Sequence, residues 1–136
     1  MKDYIFKLPM KVRDYEVDVE GIVNNANYLH YMEHTRHEFC ESAGLSFRDM
    51  HCRGIDPVLS RVEIRYRKPL GLGDSIVSCL NISRRGPLFV FEQDIYSANG
   101  TPVVEGIVEV ACLENGRLSR GDVLAEAFAP YLHKES

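Results

Sequence analysis

The hydrophobic period of this chain changes once, and that change limits the folds open to it. Apolar side chains recur every three or four residues between residues 25 and 43, at Leu29, Met32, Phe39, Cys40 and Ala43, which predicts an amphipathic helix with a buried stripe. From Ile55 onward the period is two, which predicts strands separated by turn signals. The predicted strands are 55–67, 75–84, 88–97 and 101–113.

Weaker signals flank these segments. Residues 4–16 alternate only in part around a proline, which predicts a first strand near a sheet edge. Gly44 is placed to cap the long helix at its C-terminal end, and Ser46 is placed to start a short second helical turn. A terminal helix is predicted over 122–132, with Asp122 as its N-cap.

The order of these segments predicts the fold class. Short links make consecutive strands antiparallel neighbours, so we expect the last four strands to follow one another across the sheet. An antiparallel sheet with one long amphipathic helix buries that helix across one face, which is an α+β arrangement. Because no repeat or linker interrupts the chain, we expect one domain over residues 1–136.

Composition and charge disfavour several classes of partner. The formal charge of −4 attracts neither nucleic acid nor an anionic membrane surface, and no stretch approaches the roughly 18 apolar residues that span a bilayer.

The four cysteines lack C-x-x-C spacing, and we expect neither a metal site nor a cofactor. Cys40 and Cys79 lie among apolar residues and are predicted to be buried. The charged N-terminal segment is unlike a signal or transit peptide, so we expect a cytoplasmic protein.

The segment before the long helix carries the candidate chemistry. Asp18 supplies a carboxylate, Gly21 a tight turn, and Asn24 and Asn25 the start of a helix whose first N–H groups lack partners within the helix. A carboxylate can act on a reacting carbonyl carbon while such N–H groups accept the negative charge that develops on its oxygen. This combination indicates acyl transfer, and thioester hydrolysis in particular.

Motifs over most of the chain resemble those of one family. They are D-x-x-G-I-V at 18–23, N-x-x-x-Y at 27–31, E-x-x-R at 33–36, Y-x-x-P at 66–69 and G-D at 73–74. With these motifs the chain resembles the hotdog-fold thioesterases, in the branch of 4-hydroxybenzoyl-CoA thioesterases and related short acyl-CoA or acyl-ACP thioesterases.

This resemblance implies a sheet of about five antiparallel strands wrapped around one long central helix. It implies homodimers or homotetramers formed through the sheets, with active sites at the dimer interface. The implied substrates are small acyl thioesters of CoA or of acyl carrier protein. The residues at 24–26 and 36–38 are also similar to the acyl-ACP thioesterases of plant plastids and photosynthetic bacteria.

The resemblance also implies roles for individual residues. Asp18 is the implied catalytic carboxylate, as a nucleophile or as a general base for water, and closing the turn is its alternative role. Gly21 is expected to adopt a positive φ. The backbone N–H of Asn25 is the candidate oxyanion donor, with Asn24 or Ala26 close behind, and simple N-capping is the alternative. Many relatives carry histidine where this chain has Asn25, so no titratable group is expected there.

Further substrate contacts are predicted outside this segment. Tyr28 at the helix start and Ser60 in mid-strand are expected near the thioester, although packing is the commoner role of a strand serine. Arg84 and Arg85 are suited to bidentate contact with a phosphate of CoA or phosphopantetheine, and a solvated strand face is the alternative. A second and weaker cation cluster is Arg65, Arg67 and Lys68. Candidate liners of the acyl pocket are Phe39, Phe47, Met50, Phe89 and Phe91.

The polar face of the long helix carries three histidines, His30, His34 and His37. Because the H-E-x-x-H pattern is absent, we expect this face to meet solvent or a neighbouring subunit rather than a metal. Glu33 and Arg36 are three residues apart and are expected to form an ion pair on the helix.

The sequence therefore predicts an acyl-thioesterase of lipid metabolism. A hydratase is disfavoured because its carboxylate and histidine would lie on the central helix, whereas Asp18 precedes it. A non-catalytic acyl-CoA-binding hotdog module is the alternative.

Overall fold

The computed structural model describes residues 2–132. Its strands are β1 Phe6–Lys11, β2 Ile55–Tyr66, β3 Ser75–Arg85, β4 Leu88–Ser97, β5 Pro102–Glu114 and β6 Arg117–Leu118. Its helices are α1 Asn25–Ser42, α2 Phe47–Cys52 and α3 Asp122–Phe128, with short 3₁₀ turns at Asp14–Glu16 and Ala129–Tyr131. The α+β class is confirmed, and the bounds of the long helix and the four long strands are confirmed to within one residue. Among the described residues, no helix combines the length and apolar character needed to cross a bilayer.

One predicted neighbour relation is wrong, and it concerns β2. The strand order is β1-β3-β4-β5-β2, with β6 paired to β5. Hairpins make β3, β4 and β5 antiparallel neighbours as predicted, whereas β2 pairs with β5 at the far edge of the sheet. β1 lies at the other edge, which confirms its predicted edge position.

The link between β2 and β3 explains this difference. It covers residues 67–74, and eight extended residues reach roughly 26 Å. Three strand spacings take about 14 Å, so the link is long enough to cross the end of the sheet. The N–H groups of Arg67 and Lys68 donate to the carbonyl oxygen of Val103 at 2.8 and 3.3 Å, which starts the crossing.

The helix ends differ slightly from the predicted ones. Ser46 caps α2 as predicted. Gly44, with φ of 85°, lies one position beyond the cap of α1. Gly121, with φ of 67°, is the N-cap of α3 instead of Asp122, which is the first helical residue. α3 ends at Phe128, and a 3₁₀ turn replaces its predicted end.

The buried stripe of α1 agrees with the predicted one at Met32, Phe39 and Cys40 and differs from it elsewhere. Leu29, assigned to that stripe from its spacing, is 40% exposed. Thr35 is fully buried instead, because its hydroxyl donates to the carbonyl oxygen of Tyr31 at 2.7 Å and lies 2.6 Å from the hydroxyl of Ser78. The buried positions of α1 are Tyr28, Tyr31, Met32, Thr35, Phe39 and Cys40. The predicted burial of Cys40 and Cys79 is confirmed.

The close approach of α1 to the sheet requires glycine at position 106 on β5. A Cβ atom there would stand 2.6 Å from Met32 Cε and 3.0 Å from the carbonyl oxygen of Gln93. Met32 and Gln93 are both fully buried, so neither can move away into solvent. Gly106 therefore leaves the space that the end of the Met32 side chain occupies between helix and sheet.

We expect Gly106→Val to lower the free energy of unfolding by about 1–3 kcal/mol, because the added methyl groups overpack the contact with Met32. Urea unfolding of the variant and the wild type measures this. Ile107→Val is the matched control, because Ile107 is 40% exposed on the other face of β5, and it should cost less than about 0.5 kcal/mol. Equal stability of Gly106→Val and the wild type would contradict the packing described above.

Candidate active site

Asp18 lies in a hydrogen-bonded loop just before α1. Its N–H donates to the carbonyl oxygen of Ile22 at 2.9 Å, and its carbonyl oxygen accepts from the Gly21 N–H at 3.0 Å. Gly21 has φ of 79°, as predicted. The exposed Asp18 carboxylate accepts from the Glu20 N–H through Oδ1 at 2.8 Å, and among the described residues Oδ2 has no hydrogen-bond partner. The carboxylate thus closes the turn and still has one oxygen available.

The link between β2 and β3 anchors this loop. Val23 donates its N–H to the carbonyl oxygen of Leu70 at 2.7 Å, and Ile22 forms a bridge with Gly71. A third contact comes from Tyr28, whose hydroxyl accepts a hydrogen bond from the Leu70 N–H at 3.2 Å. Tyr28 is 3% exposed and lies in a cluster of tyrosine rings, so within one protomer it supports the loop from inside.

The start of α1 leaves one backbone donor without a partner. Asn24 is the N-cap, and its side chain accepts from the Ala26 N–H at 2.9 Å. The Asn24 carbonyl oxygen accepts from the Asn27 N–H at 2.9 Å, and the Asn24 N–H donates to Glu16. In residues 2–132 no hydrogen bond has the Asn25 N–H as its donor. Of the predicted oxyanion donors, Asn25 is therefore the one that is free to bind a ligand.

Glu16 supports this arrangement and was missed in the sequence. It is 4% exposed, and its carboxylate accepts from the Arg13 N–H at 2.7 Å and from the Arg13 guanidinium at 3.3 Å. Burial opposes its ionisation, but the bonds from Arg13 outweigh that effect and lower the pKa of Glu16. The Glu16 carbonyl oxygen accepts from the Asn27 side chain at 2.8 Å, which ties this buried carboxylate to the helix start. The spacing of three residues between Arg13 and Glu16 is the signal that could have indicated the pair.

Ser60 lies far from the Asp18 loop within one protomer. It stands at a register shift in β2, between the pairs that Leu59 and Arg61 make with β5, and it is exposed at the sheet edge. The end of β2 nearest the loop is Tyr66, whose ring is 5.5 Å from that of Tyr28. Six strand residues separate Ser60 from Tyr66, which corresponds to roughly 20 Å.

Arg84 and Arg85 also lie at the opposite end of their strand from the Asp18 loop. The Arg84 guanidinium lies over the Phe89 ring at 5.4 Å, and it donates to the carbonyl oxygens of Gly86 at 3.2 Å and of Arg120. The Arg85 guanidinium pairs with the buried carboxylate of Glu109. Both predicted phosphate contacts therefore bind groups of their own chain.

An apolar pocket of about 230 Å³ lies between the helices and the strands β2, β4 and β5. It is lined by Glu33, Arg36, His37, Cys40, Phe47, Pro57, Val58, Leu59, Phe89, Phe91, Val110, Leu124 and Phe128. Three of the five predicted liners are therefore in its wall, whereas Phe39 and Met50 are buried in the core. Arg36 lies about 16 Å along the helix from Asn25, so one protomer does not bring this pocket to its own Asn25 N–H.

The predicted ion pair between Glu33 and Arg36 is wrong. Glu33 lies 3.8 Å from His37, one turn further along the exposed face. Arg36 turns inward instead, and its Nη1 donates to Gln93 Oε1 at 2.9 Å. Solvent reaches the face that carries the histidines, where His34 also pairs with Glu38 at 3.9 Å.

Comparisons with known proteins place this chain among thioesterases. The model of the thioesterase-like superfamily matches residues 12–130. The chloroplastic acyl-acyl carrier protein thioesterase ATL3 of Arabidopsis thaliana is 34% identical over 111 residues, which are 80% of this chain and 58% of that protein. The long-chain acyl-CoA thioesterase FadM of Escherichia coli is 30% identical over 107 residues, which are 77% and 80% of the two chains. The chain thus spans less than two thirds of the length of the first curated relatives it matches.

Solved structures agree at the level of the fold. A hypothetical protein from Aquifex aeolicus superposes with a TM-score of 0.83 at 28% identity, over 90% of this chain and 98% of that one. A 1,4-dihydroxy-2-naphthoyl-CoA thioesterase from Synechocystis superposes with a TM-score of 0.86 over 95% and 98% of the two chains, and at 17% identity this likeness shows the hotdog fold alone. Because the family model covers most of its length, this chain belongs to the thioesterase-like superfamily.

Proposed function

We propose that this chain is an acyl-thioesterase that hydrolyses acyl-CoA or acyl-ACP to a carboxylic acid and a thiol, within lipid metabolism. The observation that carries the proposal is the junction of loop and helix, where Asp18 Oδ2 and the Asn25 N–H are both without partners among the described residues. Membership of the thioesterase-like superfamily supports it. The proposal takes residues 1–136 as one domain and α1 as the central helix of the hotdog fold.

Asp18 has two chemical routes in this proposal. It attacks the thioester carbonyl carbon, which breaks the C–S bond, releases the thiolate and leaves an acyl anhydride that water then hydrolyses. Alternatively it takes a proton from a water that attacks the same carbon, after which the C–S bond breaks and the thiolate leaves. In both routes the Asn25 N–H donates to the carbonyl oxygen as negative charge develops there, and one such donor is typically worth about 10²–10³-fold in rate.

We propose that the active form is a homodimer, or a tetramer built from dimers, joined through β2. This strand pairs with β5 on one side only and lies at the edge of the sheet. It exposes Val58, Leu59 and Tyr66 at 36%, 54% and 48%. A long edge strand with exposed apolar residues is a template for pairing with another strand.

Antiparallel pairing of two β2 strands would complete the site. The Tyr66 end of β2 lies beside the start of α1, whereas Val58 and Leu59 near its other end line the apolar pocket. A two-fold axis between the strands would bring the Asp18 loop of one protomer to the pocket of the second. It would also bring Ser60 of the partner subunit toward that loop, which is the role predicted for this serine.

A non-catalytic acyl-CoA-binding module is the second candidate. The bond between Asp18 Oδ1 and the Glu20 N–H favours it, because this bond alone explains an aspartate at the turn. The two candidates differ in whether the bound thioester is hydrolysed: the thioesterase hydrolyses it and the binding module does not.

We expect Asp18→Asn to lower the rate of thioester hydrolysis by at least about 10²-fold, because the amide keeps the bond to Glu20 but is neither a nucleophile nor a base. Thiol release from a panel of acyl-CoA and acyl-ACP substrates, followed with a thiol-reactive dye, measures this. Glu20→Gln, in the same loop, is the matched control and should stay within about threefold of the wild type. Turnover that survives Asp18→Asn would refute the assignment, and no turnover from any substrate would favour the binding module.

We expect the wild type to have the mass of a dimer or tetramer in solution, and Val58→Lys to shift it toward the monomer, because a lysine on an edge strand opposes strand pairing. Light scattering coupled to gel filtration measures the mass. Leu118→Lys is the control, since Leu118 is 61% exposed on β6, which β5 separates from β2. A fully active monomeric wild type would contradict the proposed interface.

A further inference from the structure

His37 lies in the wall of the apolar pocket, next to the sheet edge that β2 forms. Val58 and Leu59 of β2 line the same pocket. The imidazole ring packs against the ring of Phe47, with 4.8 Å between the two centroids. Because 52% of the His37 side chain is exposed, the ring contacts the pocket wall and is still accessible to a ligand or a water molecule.

A carboxylate lies beside one nitrogen of this ring. Glu33 Oε1 stands 3.8 Å from His37 Nε2, and Glu33 lines the pocket as well. A carboxylate in this position favours the tautomer that carries its proton on Nε2, which leaves Nδ1 as the basic nitrogen. In residues 2–132 the hydrogen bonds of histidine rings belong to His30 and His51, so Nδ1 of His37 is free to take a proton.

The other two histidines of α1 have different surroundings. His30 Nδ1 lies 3.3 Å from Asn27 Oδ1, and His34 lies 3.9 Å from Glu38 on the exposed face. Of the three histidines, His37 is the one that lines the pocket. It therefore combines a pocket position, an aromatic contact and an adjacent carboxylate.

His37 does not reach the Asp18 loop of its own chain. From Asn25 to His37 the helix rises through twelve residues, which corresponds to about 18 Å. The proposed antiparallel pairing of two β2 strands removes this separation, because Val58 and Leu59 border the pocket that His37 lines. The same pairing that brings the Asp18 loop of one protomer to the pocket of the second brings it to His37.

We propose that His37 of one protomer is the general base for the water step at the Asp18 site of its partner, and that Glu33 is a positioning residue that orients the ring. This inference deepens the proposed function and rests on it, and it takes the nucleophilic route for Asp18. Imidazole is the side chain most often used as a general base, and a positioned one is typically worth about 10²–10⁴-fold in rate.

Two steps complete the reaction. Asp18 Oδ2 attacks the thioester carbonyl carbon, the C–S bond breaks, and the thiolate leaves an acyl anhydride on the aspartate. His37 Nδ1 then takes a proton from a water whose oxygen attacks the acyl carbonyl carbon. The bond between that carbon and Asp18 Oδ2 breaks, which frees the carboxylic acid and restores the Asp18 carboxylate. The imidazolium gives its proton to the thiolate, so one thioester and one water become one acid and one thiol.

The first test separates the two steps in time. In His37→Gln the attack by Asp18 is intact, so we expect a burst of about one thiol per active site and then a steady-state rate at least about 10²-fold below the wild type. Stopped-flow detection with the thiol-reactive dye, on the same acyl-CoA and acyl-ACP substrates, measures both phases. Mass spectrometry of the quenched variant should show the acyl group retained on Asp18.

His34→Gln is the matched control, because His34 lies on the same helix and outside the pocket wall. It takes no part in the proton transfer and should stay within about threefold of the wild type. Glu33→Gln should keep the burst and lower the steady-state rate less than His37→Gln does. A steady-state rate of His37→Gln close to that of the wild type would overturn the inference. Equal loss of the burst and of the steady-state rate would also overturn it, because that result indicates a structural role.

The second test determines which protomer supplies His37. Asp18→Asn and His37→Gln chains are co-expressed with two different affinity tags, and the mixed dimer is purified through both. One of its two sites then combines an intact Asp18 with an intact His37, so we expect about half of the wild-type rate per dimer. Each parent homodimer should retain at most about one per cent. A mixed dimer as inactive as its parents would overturn the inference.

The outcomes distinguish this inference from the proposed function. Turnover that is lost in Asp18→Asn but survives in His37→Gln would refute the role of His37 and support the thioesterase. A wild type that hydrolyses none of the substrates would refute the thioesterase, and the role of His37 with it.

Discussion

The backbone pairing between the Asp18 loop and the link that follows β2 holds the candidate site in place. Val23 bonds to Leu70, and Ile22 forms a bridge with Gly71, although neither segment belongs to a strand of the sheet. The link reaches the loop because β2 lies at the far edge, so the chain must cross the end of the sheet to begin β3. The position of Asp18 thus depends on a strand order that is set more than thirty residues later in the chain.

The start of α1 shows how local capping leaves one backbone donor free among the described residues. Asn24 uses its side chain and its carbonyl oxygen to satisfy two of the first N–H groups of the helix, and the Asn25 N–H is left over. The buried Glu16 holds Asn24 and Asn27 from the other side through its carbonyl oxygen, while Arg13 stabilises its carboxylate. Because the surrounding bonds are made, the remaining donor is rigid, and a rigid donor loses little free energy to reorganisation when charge develops on a bound carbonyl.

The pocket and the Asn25 N–H are separated along α1, and this separation is one reason to propose a dimer. A site assembled from two protomers brings together groups that one chain keeps about 16 Å apart. Arg36 is half-buried in the wall of this pocket and donates one hydrogen bond, to Gln93. The charged pairs on the other face of the sheet, by contrast, satisfy one another, as Arg85 does with Glu109.

The sequence by itself determined the segments and the core of the site. Helix and strand bounds follow from periodicity and turn residues, which are local properties, and Asp18, Gly21, Asn24 and Asn25 lie within one short segment whose geometry is local as well. Only the tertiary structure decided that β2 pairs with β5 and that Ser60 lies at the register shift in β2. It also decided which acceptors the guanidinium groups of Arg84, Arg85 and Arg36 bind. Each of these features depends on contacts between residues far apart in the chain. Hydrophobic pattern and residue spacing are local properties, so they do not identify the distant residue that a given side chain will contact.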